Sequence, residues 1–106
     1  MHKNLGNGFS ESVYCEALAE ELTTSNIPFE QEKKLPIFYQ GKQLDNYFVA
    51  DFVCFDKIIL DIKALGFIDQ NIKKQVLNFL KSTNLEIGYL MNFGEKNLTW
   101  KRYINT

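Results

Sequence analysis

The chain has few of the residues on which the commonest enzyme chemistries depend. Its single histidine, His2, stands next to the first residue, which argues against a histidine-based triad and against a typical zinc enzyme. Its two cysteines, Cys15 and Cys54, form neither a metal-binding spacing nor a disulfide framework, and we expect small core residues in a reducing compartment. There is no Walker loop, and Gly6-Asn7-Gly8 is typical of a turn. Any catalysis must therefore depend on carboxylates and lysines.

Long apolar runs and a strong charge of either sign are also missing. Charged residues interrupt the apolar runs well short of membrane-spanning length, and the start has no signal-peptide layout, so we expect a soluble cytoplasmic protein. A formal net charge of -1 gives no global sign of a nucleic-acid partner. A hydrophobic share of 45% is enough for a core, and 106 residues suit a single domain over residues 1–106.

Hydrophobic periodicity predicts the order helix, strands, helix, strands. The first helix should run from about Phe9 or Ser10 to Thr24 and the second over residues 69–82. Each should bury one stripe of residues at helical spacing, namely Glu11, Tyr14, Cys15, Leu18 and Leu22 in the first and Ile72, Val76, Phe79 and Leu80 in the second. Strands are predicted at residues 35–39, 47–55, 58–64, 85–92 and 98–104. The strands before the second helix should pair antiparallel, and the strand after it should pair parallel through a crossover. This order predicts an α/β or α+β fold with a mixed sheet.

Several polar residues interrupt otherwise apolar elements, namely Glu11, Asp51, Asp61 with Lys63, and Gln75. Residues two apart share a face of a strand, so Asp61 and Lys63 project together. Taken alone, such a pair is most often an exposed edge-strand ion pair. Glu11 alone is favoured near the start of a helix by the helix dipole, and Gln75 alone is a boundary residue. Only the combination favours a shared site.

Whether Asp51 joins Asp61 depends on the strand register. A two-residue connection at Asp56-Lys57 would send the two aspartates to opposite faces, whereas an odd-length loop or a β-bulge would place them opposite each other. Facing carboxylates repel unless a cation neutralises them. Two carboxylates with a third nearby suit Mg²⁺ or Mn²⁺, and a neighbouring lysine could stabilise developing negative charge. We therefore predict the odd register and a metal site suited to phosphodiester hydrolysis.

Seven motifs occur in order along nearly the whole chain. The first three are His2-Lys3-Asn4-Leu5-Gly6, Gly8-Phe9-Ser10-Glu11-Ser12-Val13-Tyr14 and Glu16-Ala17-Leu18. The later ones are Ala50-Asp51-Phe52-Val53, Ile59-Leu60-Asp61-Ile62-Lys63-Ala64, Gln75 with Phe79-Leu80, and Gly88-Tyr89-Leu90-Met91-Asn92-Phe93. Together they resemble the GxxExxY proteins, a group placed in the PD-(D/E)XK nuclease superfamily.

The resemblance implies a central mixed β-sheet flanked by helices, in an α-β-β-β-α-β restriction-endonuclease-like core. It implies that Asp51 and Asp61 bind a divalent metal, usually Mg²⁺, with Glu11 as the acid of the first motif and a further ligand. Lys63 would be the catalytic lysine, and Gln75 a polar residue from the following helix. The implied reaction is hydrolysis of a nucleic-acid backbone, of DNA or RNA.

The sequence departs from the group at several points. Members often have glutamate where Asp61 stands, and a histidine where Ile72 stands. Because the sequence begins at the motif of His2, we expect it to lack an N-terminal helix usual in the group, which would leave a helical face exposed or paired with another chain. The complete set of site residues favours a nuclease over a non-catalytic nucleic-acid- or protein-binding module of the same fold, or an interaction domain with a simple ion pair.

Basic residues cluster locally at positions where phosphates could bind. These expected contacts are Lys33, Lys34, Lys73 and Lys74, although for each cluster alone a solvated face is the better interpretation. Because a near-neutral domain binds duplex weakly by itself, a homodimer, a partner or a short flexible substrate is expected.

Overall fold

A computed structural model describes residues 5–83 and 85–104. From residue 11 onward the elements are α1 (Glu11–Thr24), β1 (Phe29–Tyr39), β2 (Lys42–Cys54), β3 (Ile58–Lys63), α2 (Gln70–Thr83), β4 (Ile87–Asn92) and β5 (Thr99–Ile104). The strands form one sheet in the order β1-β2-β3-β4-β5. Only β3 and β4 pair parallel, through the crossover that contains α2. The predicted mixed α+β sheet with two helices is confirmed, and it is consistent with a restriction-endonuclease-like core.

The hairpin of β1 and β2 is longer than predicted at both strands. β1 begins at Phe29, where we expected residue 35. β2 runs without a break from Lys42, where we expected a short extended return over residues 43–44 and then a separate strand from residue 47. The strands meet at Gln40-Gly41, whose φ values of 48° and 78° form a tight two-residue turn that lets both strands pair up to it. Most of the added residues are polar and exposed, so their strand structure comes from pairing and leaves no hydrophobic pattern in the sequence.

The two helices cover opposite faces of the sheet. The buried stripe of α1 packs on one cluster, which comprises Tyr14, Leu18, Leu22, Phe52, Cys54, Ile62 and Phe93. On the other face, Leu80 of α2 packs on a second cluster with Leu35, Ala50, Val53 and Ile59. The Phe79 ring stacks on Phe48 at a centroid distance of 4.4 Å. Both predicted stripes are confirmed in outline, with Cys15 only half-buried and Glu11 exposed.

The second helix begins one residue later than predicted. The side-chain Oδ1 of Asp69 accepts a hydrogen bond from the Ile72 amide at 2.9 Å, so Asp69 caps the helix. No helix among the described residues is long and apolar enough to cross a membrane. The predicted lack of an N-terminal helix, and the part of the first motif in residues 2–4, lie outside the described residues.

Candidate metal and catalytic site

A three-residue turn between β2 and β3 sets the register of the candidate site. Phe55 and Asp56 have φ values of 55° and 57°, and the Lys57 amide donates to the Cys54 carbonyl at 3.0 Å. The predicted strand end at Phe55 is one residue too late, because β2 ends at Cys54 and Phe55 begins the turn. The pairs run from Cys54–Ile58 to Phe52–Leu60. The predicted odd register is confirmed, since its next step brings residue 51 opposite residue 61.

The alternation of side chains in β2 breaks at Asp51. Ala50 and Phe52 are two residues apart, yet they bury in clusters on opposite faces of the sheet. The Ile62 amide donates to Asp51 Oδ2 at 2.8 Å, so a carboxylate satisfies a β3 amide just beyond the last pair of β2 and β3. This contact brings Asp51 beside β3, where its carboxylate lies close enough to Asp61 to raise the pKa of the Asp61 carboxyl group.

Asp61 is a buried carboxyl group with an unusual proton affinity. It is 9% exposed and lines a small cavity with apolar side chains of α2, including Val76 and Leu80. Burial raises the pKa of Asp61 to about 6, and the adjacent Asp51 carboxylate adds to the increase. The Lys63 ammonium, whose Nζ lies 3.4 Å from Asp61 Oδ1, opposes that increase in pKa. The pair is thus largely desolvated, unlike the exposed edge-strand ion pair considered from sequence.

Glu11 and Asp51 face a common groove of about 460 Å³ between α1 and β2. Cys15, one turn after Glu11, lines the same groove. Burial is the largest cause that raises the pKa of the Cys15 thiol to about 11, followed by the charges of Asp51, Glu11 and Asp61. All three predicted acids therefore act on one thiol. Cys15 was predicted only as a core residue, although its place on the Glu11 stripe was a signal of its position.

The three candidate acids, Glu11, Asp51 and Asp61, meet only part of what binding a hard divalent cation requires. Within residues 5–83 and 85–104, no group of three or more histidine, cysteine or acidic side chains is arranged to hold a metal ion. Asp51 and Asp61 nevertheless bring two carboxyl groups together, and Glu11 faces the adjoining groove. Mg²⁺ is commonly bound by one or two carboxylates together with water and substrate phosphates. The described residues therefore supply two neighbouring carboxyl groups rather than a complete set of metal ligands.

Gln75 does not join these groups. Its side chain is exposed on α2, one residue before the buried Val76. Val76 lines the cavity beside Asp61, whereas Gln75 is not among the residues that line that cavity or the groove of Glu11. Helix α2 therefore packs beside Asp61 as expected, but it does so through apolar side chains and not through Gln75.

The predicted phosphate-binding lysines lie in two places. Lys33 on β1 forms ion pairs with Glu30 and, at 3.6 Å, with Asp56. Lys34 lies over the Tyr47 ring, with Nζ 4.8 Å from the ring centroid. On α2, Lys74 is exposed, and Lys73 lines a separate cavity beside β4 and β5.

Asn92 is a buried polar residue that the sequence analysis did not single out as a site residue. It is 1% exposed. Its Oδ1 accepts from the Leu65 amide at 2.9 Å and from the Gly94 amide at 3.1 Å. Its Nδ2 donates to the Leu65 carbonyl at 2.9 Å and to Glu95 Oε2 at 2.7 Å. One side chain thus joins the segment after β3 to the segment after β4.

Two further contacts hold the end of β3 that carries Lys63. The Phe93 amide donates to the Lys63 carbonyl at 2.8 Å. Gly94 packs so closely that a Cβ atom there would lie 2.3 Å from the Leu65 nitrogen. The sequence signal was an asparagine and a glycine around Phe93 after an apolar strand, but their partners depend on the parallel pairing of β3 and β4.

Comparison with known proteins agrees with this architecture. The sequence profile of the PD-(D/E)XK nuclease superfamily matches residues 1–103, a range that includes every candidate site residue. The chain belongs to the PD-(D/E)XK nuclease superfamily. No curated protein and no solved structure matches the chain significantly.

Proposed function

We propose that the protein is a divalent-metal-dependent nuclease of the GxxExxY group that hydrolyses phosphodiester bonds in nucleic acid. The observation that carries the proposal is the meeting of the Asp51 and Asp61 carboxyl groups beside Lys63, where β2 and β3 separate. A structural ion pair alone gives no reason to bring a second carboxylate against a buried one, because the two charges repel.

The proposed roles follow from the surroundings of each side chain. Asp51 and Asp61 would hold Mg²⁺ or Mn²⁺, with Glu11 approaching from the groove. The bound cation would polarise the scissile phosphate and lower the pKa of an attacking water. The Ile62 amide fixes the orientation of Asp51. Lys63, whose side chain is 28% exposed, would donate a hydrogen bond to the phosphate or the water and stabilise developing negative charge.

Gln75 has a subsidiary place in this proposal. Because its side chain is exposed on α2, it is free to contact the nucleic-acid backbone beside Asp61 rather than the metal. The same holds for Lys74, which is exposed on the same helix. Lys33 and Lys34 would bind phosphate only if substrate displaced their contacts with Glu30 and Tyr47.

A second function has its own support. The absence of a three-ligand metal set among the described residues favours a non-catalytic nucleic-acid- or protein-binding module of the same fold. Such a module would bind without cleaving, and its binding would be indifferent to the loss of the Asp61 carboxylate.

Cleavage of a panel of single- and double-stranded DNA and RNA, with Mg²⁺ or Mn²⁺, separates the two functions. The nuclease predicts cleavage that EDTA abolishes and that Asp61→Ala and Lys63→Ala each reduce at least about 100-fold. The matched controls, Asp45→Ala and Lys57→Ala, change exposed residues outside the site and should cleave normally. Cleavage that survives both site variants would come from a contaminant. Binding without cleavage by wild type would favour the second function.

The same proposal includes the expected homodimer and the cytoplasmic location. A net charge of -1 gives one copy little electrostatic attraction to a duplex, so two copies acting together would help to retain substrate. Analytical ultracentrifugation over a range of protein concentrations tests the dimer, and a purely monomeric protein would contradict it.

A further inference from the structure

A second cavity, of about 300 Å³, lies beside β4 and β5 and has no part in the proposed cleavage chemistry. Its lining includes two aromatic rings, those of Phe67 and Trp100, together with two lysines and a set of polar groups, namely Lys73, Lys101, Asn92, Glu95 and Thr99. Phe67 is 72% exposed, so its ring is accessible from solvent at the cavity.

The strand register relates this cavity to the candidate metal site. Asp61 pairs with Leu90, which pairs in turn with Lys101. In the same way Lys63 pairs with Asn92, which pairs with Thr99. Paired residues lie on one face of a sheet, and neighbouring strands are about 5 Å apart. The cavity therefore begins one strand away from Asp61 and Lys63 and ends about 10 Å away, within reach of the next nucleotide of a bound strand.

The lining offers partners for the phosphate, the ring face and the exocyclic amino group of a nucleotide. Lys73 and Lys101 carry the positive charge that a phosphate requires, and the exposed ring of Phe67 offers a surface for base stacking. Glu95 is held by hydrogen bonds from Thr99 and Asn92, which lower the pKa of its carboxyl group. A fixed, ionised carboxylate is an acceptor for an exocyclic amino group such as that of cytosine.

We propose that this cavity binds one unpaired nucleotide of the substrate strand beside the phosphate that is cleaved, with a preference for a base that carries an amino group. The inference rests on the proposed function for the identity of the substrate as nucleic acid. In a duplex the ring faces are stacked and the amino group is paired, so neither is available to Phe67 and Glu95. The substrate class is therefore single-stranded or locally unpaired nucleic acid.

Binding measured without cleavage tests this site. Fluorescence anisotropy in EDTA would use labelled oligodeoxycytidine and oligodeoxythymidine of about twelve nucleotides, and the corresponding duplex. We expect single strands to bind more tightly than the duplex, and the cytidine strand more tightly than the thymidine strand. Phe67→Ala should weaken single-strand binding about tenfold. Lys101→Ala should weaken both strands equally and reduce the salt dependence by about one ion. Glu95→Gln should remove the preference for cytidine.

The matched control is Phe55→Ala, which removes a 53% exposed ring from the turn between β2 and β3. It should leave binding unchanged. Equal effects of Phe67→Ala and Phe55→Ala, or a duplex that binds as tightly as the single strand, would overturn the inference.

Phe67 and Lys101 are exposed, so their variants should fold. If the variants behave as expected and wild type never cleaves, only the proposed nuclease fails. If wild type cleaves and none of the three variants alters binding, only this inference fails.

Discussion

Replacing Asp61 by asparagine should stabilise the metal-free protein, although it removes a proposed metal ligand. The pKa of Asp61 rises from 3.8 to about 6 on folding, chiefly because the carboxyl group is buried. Between these two values the folded protein binds the proton more tightly than the unfolded chain does. The stabilisation that comes from protonated Asp61 is therefore complete below pH 3.8 and is lost as the pH rises through about 6. Above that window the folded protein bears the cost of a buried charge.

The size of this cost follows from the pKa difference. A difference of about two pH units corresponds to about 3 kcal/mol of unfolding free energy at pH 8. Asparagine is neutral at every pH, so it avoids this cost, in which the opposing attraction of Lys63 is already included. We expect a net gain of about 3 kcal/mol at pH 8, which corresponds to a rise in melting temperature of about 12 °C. At pH 4.5 the gain should shrink to about a third.

Differential scanning calorimetry at pH 4.5 and pH 8 in EDTA would measure the effect. Asp45→Asn is the control, because it removes a carboxylate from an exposed part of β2 and should leave the melting temperature nearly unchanged. Added Mg²⁺ should raise the melting temperature of wild type and not that of Asp61→Asn. A lower melting temperature for Asp61→Asn at pH 8, or an equal gain at both pH values, would refute the reasoning.

Three further predictions concern the surroundings of the site. Asn92→Ala should cost about 3 kcal/mol of stability, because it removes a buried side chain that makes four hydrogen bonds to partly buried groups. In urea unfolding the exposed control Asn46→Ala should cost less than about 0.5 kcal/mol, and equal losses would contradict this role. Gly94→Ala should cost about 3 kcal/mol in thermal unfolding, because its Cβ would meet backbone at 2.3 Å. A Cβ at Gly66 meets nothing within 4 Å, so Gly66→Ala should be much milder, and similar losses would refute the close approach. With a pKa of about 11, Cys15 should react slowly with iodoacetamide at pH 8. Mg²⁺ should accelerate alkylation by offsetting the neighbouring carboxylates. An unchanged rate, followed by peptide mass spectrometry, would argue against a cation there.

Several features of the fold were predictable because they depend on local periodicity. The stripe of Tyr14, Leu18 and Leu22 has the repeat of a helix, and it is the stripe that buries. Asp61 and Lys63 are two residues apart in a strand, which is sufficient to place them on one face. The odd register was predicted from chemistry, since a shared site requires it, and the three-residue turn provides it.

Other features depend on contacts between distant segments and leave little trace in the local sequence. The break in alternation at Asp51 depends on the Ile62 amide, a partner eleven residues away in sequence. Asn92 and Leu65 are 27 residues apart and meet only because β3 and β4 pair in parallel. The desolvation of Asp61 likewise requires α2 to pack over it, through side chains such as Leu80.

The parallel pairing of β3 and β4 also has a consequence for the order of folding. β1, β2 and β3 follow one another as an antiparallel meander with short loops, so their contacts can form early. Pairing of β4 must wait for closure of the segment that contains α2, which is entropically slower. The carboxyl groups of Asp51 and Asp61 would thus come together in an early, hydrated hairpin. The later docking of α2 and β4 would then remove water from them, so this late step would slow as the pH rises through about 6.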